Sequence, residues 1–341
     1  SYIGNYVLQF EEITAKYTNS KYAVAVVNGT AALQIALKLS GVAFDDEVIT
    51  QPLTFVATAN VISHCGAKPI FVDVDLDTMG MSPDKLNYWL IKNTKYNKSL
   101  KSYLNKSTEK RISAIVPMHT FGFPCRIDEI LEIANKFNIP VIEDSAESFG
   151  SFYKDRHTGT FGLAGIFSYN GNKTITTGGG GMIVTDNEEF AKRVRHITTT
   201  AKVPHKWEYI HDEVAYNYRM TNVTAAIGVA QMEKIEEVLE NKRKTAKEYF
   251  NFFRRLNLPL IFKTEPKNSK SNYWLNSIQL KDRDERDRFL EITNSNGIMT
   301  RPIWRLMNKL TMYKNCQTGN LDNAVWLEER IVNLPSGFRK K

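Results

Sequence analysis

The sequence predicts an α/β fold, a mainly parallel central sheet with helices on both faces, followed by a smaller C-terminal α+β domain. Three observations predict it. Short apolar runs alternate with helix-like stretches from Tyr22 to Phe137, the pattern of strands joined by crossover helices. Pro140–Glu143 is a continuous apolar run of the kind buried on both sheet faces, and Asp144 stands just past its carboxyl end. Finally, FGLAGIFSYNGNKTITTGGGGMIVTD, Phe161 to Asp186, reads as two short strands around a polar turn that carries Lys173 and four glycines, Gly178 to Gly181. Glycine tolerates positive φ and close backbone approach, so four in a row mark a crowded turn.

In chain order, Ser1 to Tyr17 carries Tyr2, Ile3, Tyr6, Phe10 and Ile13 at loosely helical spacing, an arm expected to pack on a partner or on the large domain. Tyr22 to Leu39 gives a strand, the turn Asn28-Gly29-Thr30 and an apolar helix. Strands follow at Val48–Thr50, Pro69–Val72, Ile112–Pro117 and Val141–Glu143, with helices at Phe55–Cys65, Pro83–Ile91 and Ile127–Phe137. Lys92 to Lys110 is rich in lysine, asparagine and serine and reads as a solvated surface excursion. A helix begins at Glu188, and Val223 to Leu256 is largely helical. Tyr273–Leu280 reads as a strand, Asp284–Asn296 as a helix, and the remainder as irregular. The expected division is an arm over 1–20, a large domain over 21–238 and a small domain over 239–341.

The 341 residues are 42% hydrophobic and 24% charged, values that exclude a mainly disordered chain. Much of the net charge of +8 lies in Lys92 to Arg111 and in Arg339-Lys340-Lys341, with no basic stripe interleaved with aromatics, so no nucleic-acid partner is expected. An acidic substrate such as a nucleotide diphosphate accounts for some of that charge. Cys65, Cys125 and Cys316 are odd in number and widely spaced, which fits a reducing cytoplasm better than a disulfide framework. No run of about 18 apolar residues suggests a membrane span, and no charged-then-apolar leader is visible.

No metal site is expected. Asp73, Asp75 and Asp77 lack the glycine a calcium loop needs at its sixth position, and Asp84 rather than glutamate stands at the twelfth. His119, His157, His196, His205 and His211 show no ligand spacing, and His64 reads as a core histidine. Gly178 to Gly181 is no phosphate loop, because no GK[ST] follows.

The chemistry sits elsewhere. A lysine held in a turn between buried strands can be desolvated into a usable amine, although a solvated surface lysine reads equally well on that stretch alone. Asp144 lies at the sheet edge where α/β proteins bind ligands. The Asn28-Gly29-Thr30 turn aims free N–H groups and a positive helix end at an anion, most often a phosphate. An amine, an acid and a phosphate cradle are what pyridoxal 5'-phosphate (PLP) needs.

With NGTAAL, EDSAES and FSYNGNK followed by TTGGGGMIVT, the chain resembles the sugar-nucleotide aminotransferases, the DegT–DnrJ group of fold type I PLP enzymes, from about Tyr22 to Gln231. The resemblance implies that Lys173 carries PLP as a Schiff base and that Asp144 partners its ring nitrogen. It implies that Gly29, Thr30, Ala31 and Ser168 hold the phosphate and that Phe55 stacks on the cofactor. Without the resemblance Phe55 is plain core and Thr30 a helix cap. Glu147 occupies a place where the family usually has glutamine or histidine near the cofactor's phenolic oxygen. A carboxylate there repels a phenolate unless it is protonated or turned away. Thr198 to Arg219 resembles a loop that crosses a homodimer, with Asn217 reaching the neighbour's phosphate, or else capping the next helix. Ala215 stands where glycine is usual. TTTAKVPHKWEY and HTFGFP look most like the LegC-like subgroup, which aminates C4 of a UDP-linked 4-keto-6-deoxy-N-acetylhexosamine for legionaminic-type sugars, with L-glutamate as donor. Two alternatives remain. A sugar dehydratase of this fold replaces the lysine by histidine, and a silent binding homologue is free to lose lysine, acid and serine; all three are present.

Overall fold

The computed structural model describes residues 4–256 and 258–339, so Tyr2 and Ile3 of the expected arm lie outside the described residues. Helix α1 (Asn5–Thr18) precedes β1 (Tyr22–Val26), α2 (Gly29–Leu39), β2 (Glu47–Thr50), α3 (Val56–His64), β3 (Lys68–Phe71) and α4 (Pro83–Asn93). Next come the hairpin β4 (Thr94–Asn97) and β5 (Ser102–Asn105), then β6 (Ile112–Val116), α5 (Ile127–Lys136) and β7 (Ile142–Asp144). A small hairpin, β8 (Phe152–Tyr153) and β9 (Arg156–His157), leads into β10 (Ala164–Ser168), β11 (Gly181–Thr185) and α6 (Glu188–Thr198). The stretch after α6 forms a short hairpin, β12 (Lys202–Val203) and β13 (Ile210–His211). Helices α7 (Asn222–Met232) and α8 (Ile235–Leu256) follow, then β14 (Ile261–Phe262), β15 (Ser269–Lys270), β16 (Asn276–Gln279), α9 (Arg283–Ser295), β17 (Arg301–Pro302), α10 (Asp322–Glu328) and β18 (Ile331–Leu334).

Two sheet segments, β1-β11-β10-β7 and β3-β2-β6, are joined by parallel bridges Ile115–Val141 and Met118–Asp144. The result is one sheet ordered β1-β11-β10-β7-β6-β2-β3, parallel except where β11 pairs with β1 and β10. Its strands are buried along nearly their whole length because helices cover both faces, which is why they read as apolar runs rather than alternating ones. One face packs on α2, α3 and α6 around Leu33, Ile35, Val61 and Val194. A C-terminal antiparallel sheet, β14-β16-β18-β17, encloses a separate core of Phe262, Ile278, Leu306 and Val332. This is the fold type I arrangement expected from the sequence.

Several details differ from expectation. Lys92–Lys110 is an ordered hairpin, because Leu104 and Asn105 are buried and Tyr103 packs on Tyr96 and Phe137. The long helix after Val223 breaks at Glu233–Lys234. The C-terminal stretch read as irregular contains α10 and β18. Its helix is capped from a distance: the Ala324 N–H donates to Asp73 Oδ1 at 2.8 Å and the Asn323 N–H to Asp73 Oδ2 at 3.0 Å. His64 is exposed at the end of α3, not in the core.

Candidate active site

The carboxyl ends of β7 and β10, the N-termini of α2 and α3, and the turn after β10 converge on a cavity of about 390 Å³. Lys173 closes the Asn170–Lys173 turn, its N–H donating to the Asn170 carbonyl at 3.0 Å. Its side chain is 12% exposed. The ammonium lies 3.4 Å from Glu147 Oε1 and 4.1 Å from the centre of the Trp274 ring.

Asp144 is fixed at the end of β7. Thr58, one turn into α3, donates its hydroxyl to Asp144 Oδ2 at 2.7 Å, and the Ala146 N–H donates to Oδ1 at 3.2 Å. Burial raises the Asp144 pKa above the ordinary carboxylate value, against these two bonds and the Lys173 charge. A carboxylate held in that balance is completed by a cation placed before it, which is what a protonated ring nitrogen supplies.

Across the cavity, Asn28 caps α2: the Ala31 N–H donates to Asn28 Oδ1 at 2.7 Å. Ala31 is thereby spent on the cap and buried, and it does not line the cavity. The Gly29 and Thr30 amides, which have no intrahelical acceptor, do line it. Ser168 stands opposite, so close that a Cβ on Gly29 would lie 2.8 Å from the Ser168 Cβ. The glycine run divides: Gly181 presses on the Asn28–Gly29 backbone, while Gly179, with no atom near its missing Cβ, opens onto the cavity. The Phe55 ring is 50% exposed in the cavity wall, which leaves a face free for stacking.

Glu147 is turned inward. Its Oε2 accepts the Phe121 N–H at 3.0 Å, and it is 2% exposed. Burial pushes its pKa up to about 7, opposed by the Lys173 charge and the Phe121 N–H and reinforced by Asp144.

Asn217 stays outside this cavity. It is exposed in the strand-like stretch that bridges to Thr199, next to Tyr218, whose carbonyl accepts the Val27 N–H at 2.7 Å. The helix after it is capped by Thr221 rather than by Asn217.

Sequence reasoning missed Trp274, Trp304, Met118 and Thr58. The two tryptophans arrive from the C-terminal part of the chain, and nothing local in the sequence announces them. Thr58 could have been found: it lies three residues after Phe55 and therefore on the same helix face. Among the described residues the fold also brings His196 beside the adjacent pair Asp212 and Glu213. His196 Nε2 pairs with Asp212 at 2.7 Å and Arg193 takes up Glu213, so the cluster is an exposed ion-pair network.

An anion cradle, an acid, an amine and a free aromatic face around one cavity fit PLP in both shape and donor set. The family model described as the DegT/DnrJ/EryC1/StrS aminotransferase family matches residues 1–339. The chain belongs to that family. It is 37% identical over 335 residues to a GDP-perosamine synthase of Escherichia coli O157:H7, covering 98% of this chain and 85% of the relative. A GDP-perosamine synthase of Caulobacter vibrioides is 33% identical over 338 residues, with 98% and 86% covered. Among solved structures, a family aminotransferase from Brucella abortus superposes with a TM-score of 0.86 at 26% identity, covering 98% of this chain and 86% of that one. This DegT/DnrJ/EryC1/StrS member is a PLP-dependent aminotransferase. Among its described residues no helix is long and apolar enough to cross a membrane.

Proposed function

We propose that this aminotransferase moves an amino group from L-glutamate to the keto carbon, C4, of a nucleotide-linked sugar for a surface glycan. The observation that carries the reading is Lys173, Asp144 and the α2 amides facing one cavity. When bound, PLP supplies an electrophilic aldehyde and a ring that takes up the electron pair of a breaking C–H bond. Lys173 Nζ holds the cofactor and, once freed by the donor, removes the proton from the donor α-carbon. In the second half of the reaction it returns a proton to the sugar carbon that becomes amine-bearing. Asp144 keeps its negative charge against the ring nitrogen, with Thr58 orienting it. Ser168 and the Gly29 and Thr30 amides bind the phosphate, Phe55 stacks, and Met118, Trp274 and Trp304 exclude water.

The nucleotide divides two readings. The two relatives described above are named for a GDP-linked sugar, which favours guanosine diphosphate. The resemblance of Thr198–Tyr209 to the LegC-like subgroup favours a UDP-linked 4-keto-6-deoxy-N-acetylhexosamine. Purified protein should be assayed with glutamate against GDP-, UDP- and TDP-linked 4-keto and 3-keto sugars. Turnover of a GDP-linked 4-keto sugar supports the first reading and of the UDP-linked sugar the second. Turnover of none, in PLP-loaded protein, overturns both. We further propose a homodimer that shares its active sites, acting in the cytoplasm, with large and small domains meeting within α8.

A further inference from the structure

We infer that Trp274 is the seat on which the Lys173 side chain rests whenever it is free and charged. Reaction chemistry requires such a place. Once the freed Lys173 amine has taken the donor's proton, it is a free ammonium inside the cavity until it gives that proton up. An unpaired ammonium there is costly, so something must compensate it in that position. The cavity places such a position beside the Trp274 ring. Lys173 Nζ lies 4.1 Å from the centre of that ring, a cation–π distance, with Glu147 Oε1 as the second wall at 3.4 Å.

The ring is built to stay there. The indole N–H donates to the Asn172 carbonyl at 2.7 Å, so Trp274 is hooked to the residue before the lysine it seats. Its backbone N–H donates to Asn272 Oδ1 at 2.8 Å, and its carbonyl accepts from Lys242 Nζ at 3.2 Å. Asn272 in turn donates to the carbonyls of Glu147 at 2.8 Å and Phe149 at 3.0 Å, and to Thr174 Oγ1 at 3.1 Å. One fully buried amide thus fixes the backbones on both sides of the seat. Trp274 is 6% exposed and lines the cavity, so one face packs inward and the other meets the lysine. The charged groups paired with or acting on Lys173 are Glu147 and Asp144, while Lys234, Glu237 and Lys242 line a second cavity that Lys173 and Trp274 also border.

The inference rests on Lys173 being the cofactor-binding amine, and its test separates the two claims. Full-length parent, Trp274→Phe, Trp274→Met and Trp274→Leu proteins would be stripped of PLP and acetylated across a pH series. Lys173 would be followed by peptide mass. In the parent, adding PLP back should protect Lys173; failure of protection refutes the cofactor role alone. A seat predicts that Met and Leu variants acetylate Lys173 roughly tenfold faster near neutral pH, with the labelling midpoint moved to lower pH, because a charge-stabilising π face is gone. Phe keeps the face and should stay near the parent. Midpoints unchanged in the Met and Leu variants, or moved equally in the Phe variant, overturn the seat. A faster rate at an unchanged midpoint reports only a more open cavity and also overturns it. Met fills much of the indole's space, so the comparison survives if the Leu variant does not fold.

Discussion

Glu147 Oε1 faces Lys173 Nζ across 3.4 Å in a wall that leaves Glu147 2% exposed. Burial raises the pKa of this acid from 4.5 to about 7, so between those values the folded chain holds a proton that the unfolded chain has released. Its contribution to stability is therefore most favourable at low pH and is lost as pH rises through 7. In ligand-free protein the loss should approach about 3 kcal/mol from this group. Glu147→Gln cannot ionise, so its urea midpoint should fall less than the parent's between pH 5 and 8. Parallel pH dependence in the two proteins would contradict the assignment.

Lys173 is the amine we expect to carry the cofactor. PLP-loaded protein should be yellow, its visible band should disappear on borohydride reduction, and peptide mapping should find the pyridoxyl group on Lys173. A label on another lysine would sink the proposed chemistry.

Asp144→Ala should leave a folded protein that transaminates several orders of magnitude more slowly. The subtler probe is Thr58→Val, which removes the 2.7 Å hydroxyl bond to Asp144 while keeping the shape of α3. Loss of one hydrogen bond to a charged group predicts roughly a tenfold drop in kcat at unchanged fold. Wild-type turnover in Asp144→Ala would reduce that residue to a structural role.

Asn217 lies outside the cavity of its own chain, and Thr221 already caps the following helix. The remaining proposal for it is action across a two-fold axis, with its amide on the neighbour's phosphate. Mixing inactive Lys173→Ala and Asn217→Ala proteins should restore activity after subunits exchange, because one site of each mixed dimer then carries neither defect. No recovery would mean that Asn217 works within its own chain.

What the sequence disclosed follows from where each residue sits. Lys173, Asp144 and the Asn28–Thr30 turn lie at ends of strands or helices, where local pattern and chemistry coincide, and the fold gathers them. Ala31 shows the limit of such reading, since its amide is taken by the Asn28 side chain, a competition that spacing does not display. Lys92–Lys110 looked solvated because lysine dominates its composition, yet Leu104 and Tyr103 suffice to anchor a hairpin. His64 looked like core because its helix is apolar, but it falls at the helix end facing out. Trp274 and Trp304 were invisible because they reach the cavity from more than a hundred residues beyond Lys173, and no periodicity spans that gap.

Asn272 gives the order in which the chain can become an enzyme. Three of its partners, the Glu147 and Phe149 carbonyls and the Thr174 hydroxyl, belong to strands and turns made far earlier in synthesis. Until residue 272 arrives, those buried acceptors stand without this donor, and the segment that carries Lys173 is held only by earlier partners such as Gln231, whose Oε1 accepts the Thr176 N–H at 3.3 Å. A ribosome-bound or prematurely terminated product ending near residue 238 would own every residue of the cofactor cradle and still lack its keystone. Competence is thereby deferred to the finished polypeptide, and a transplant of the C-terminal third between relatives would have to bring a matching Asn272 and Trp274 with it.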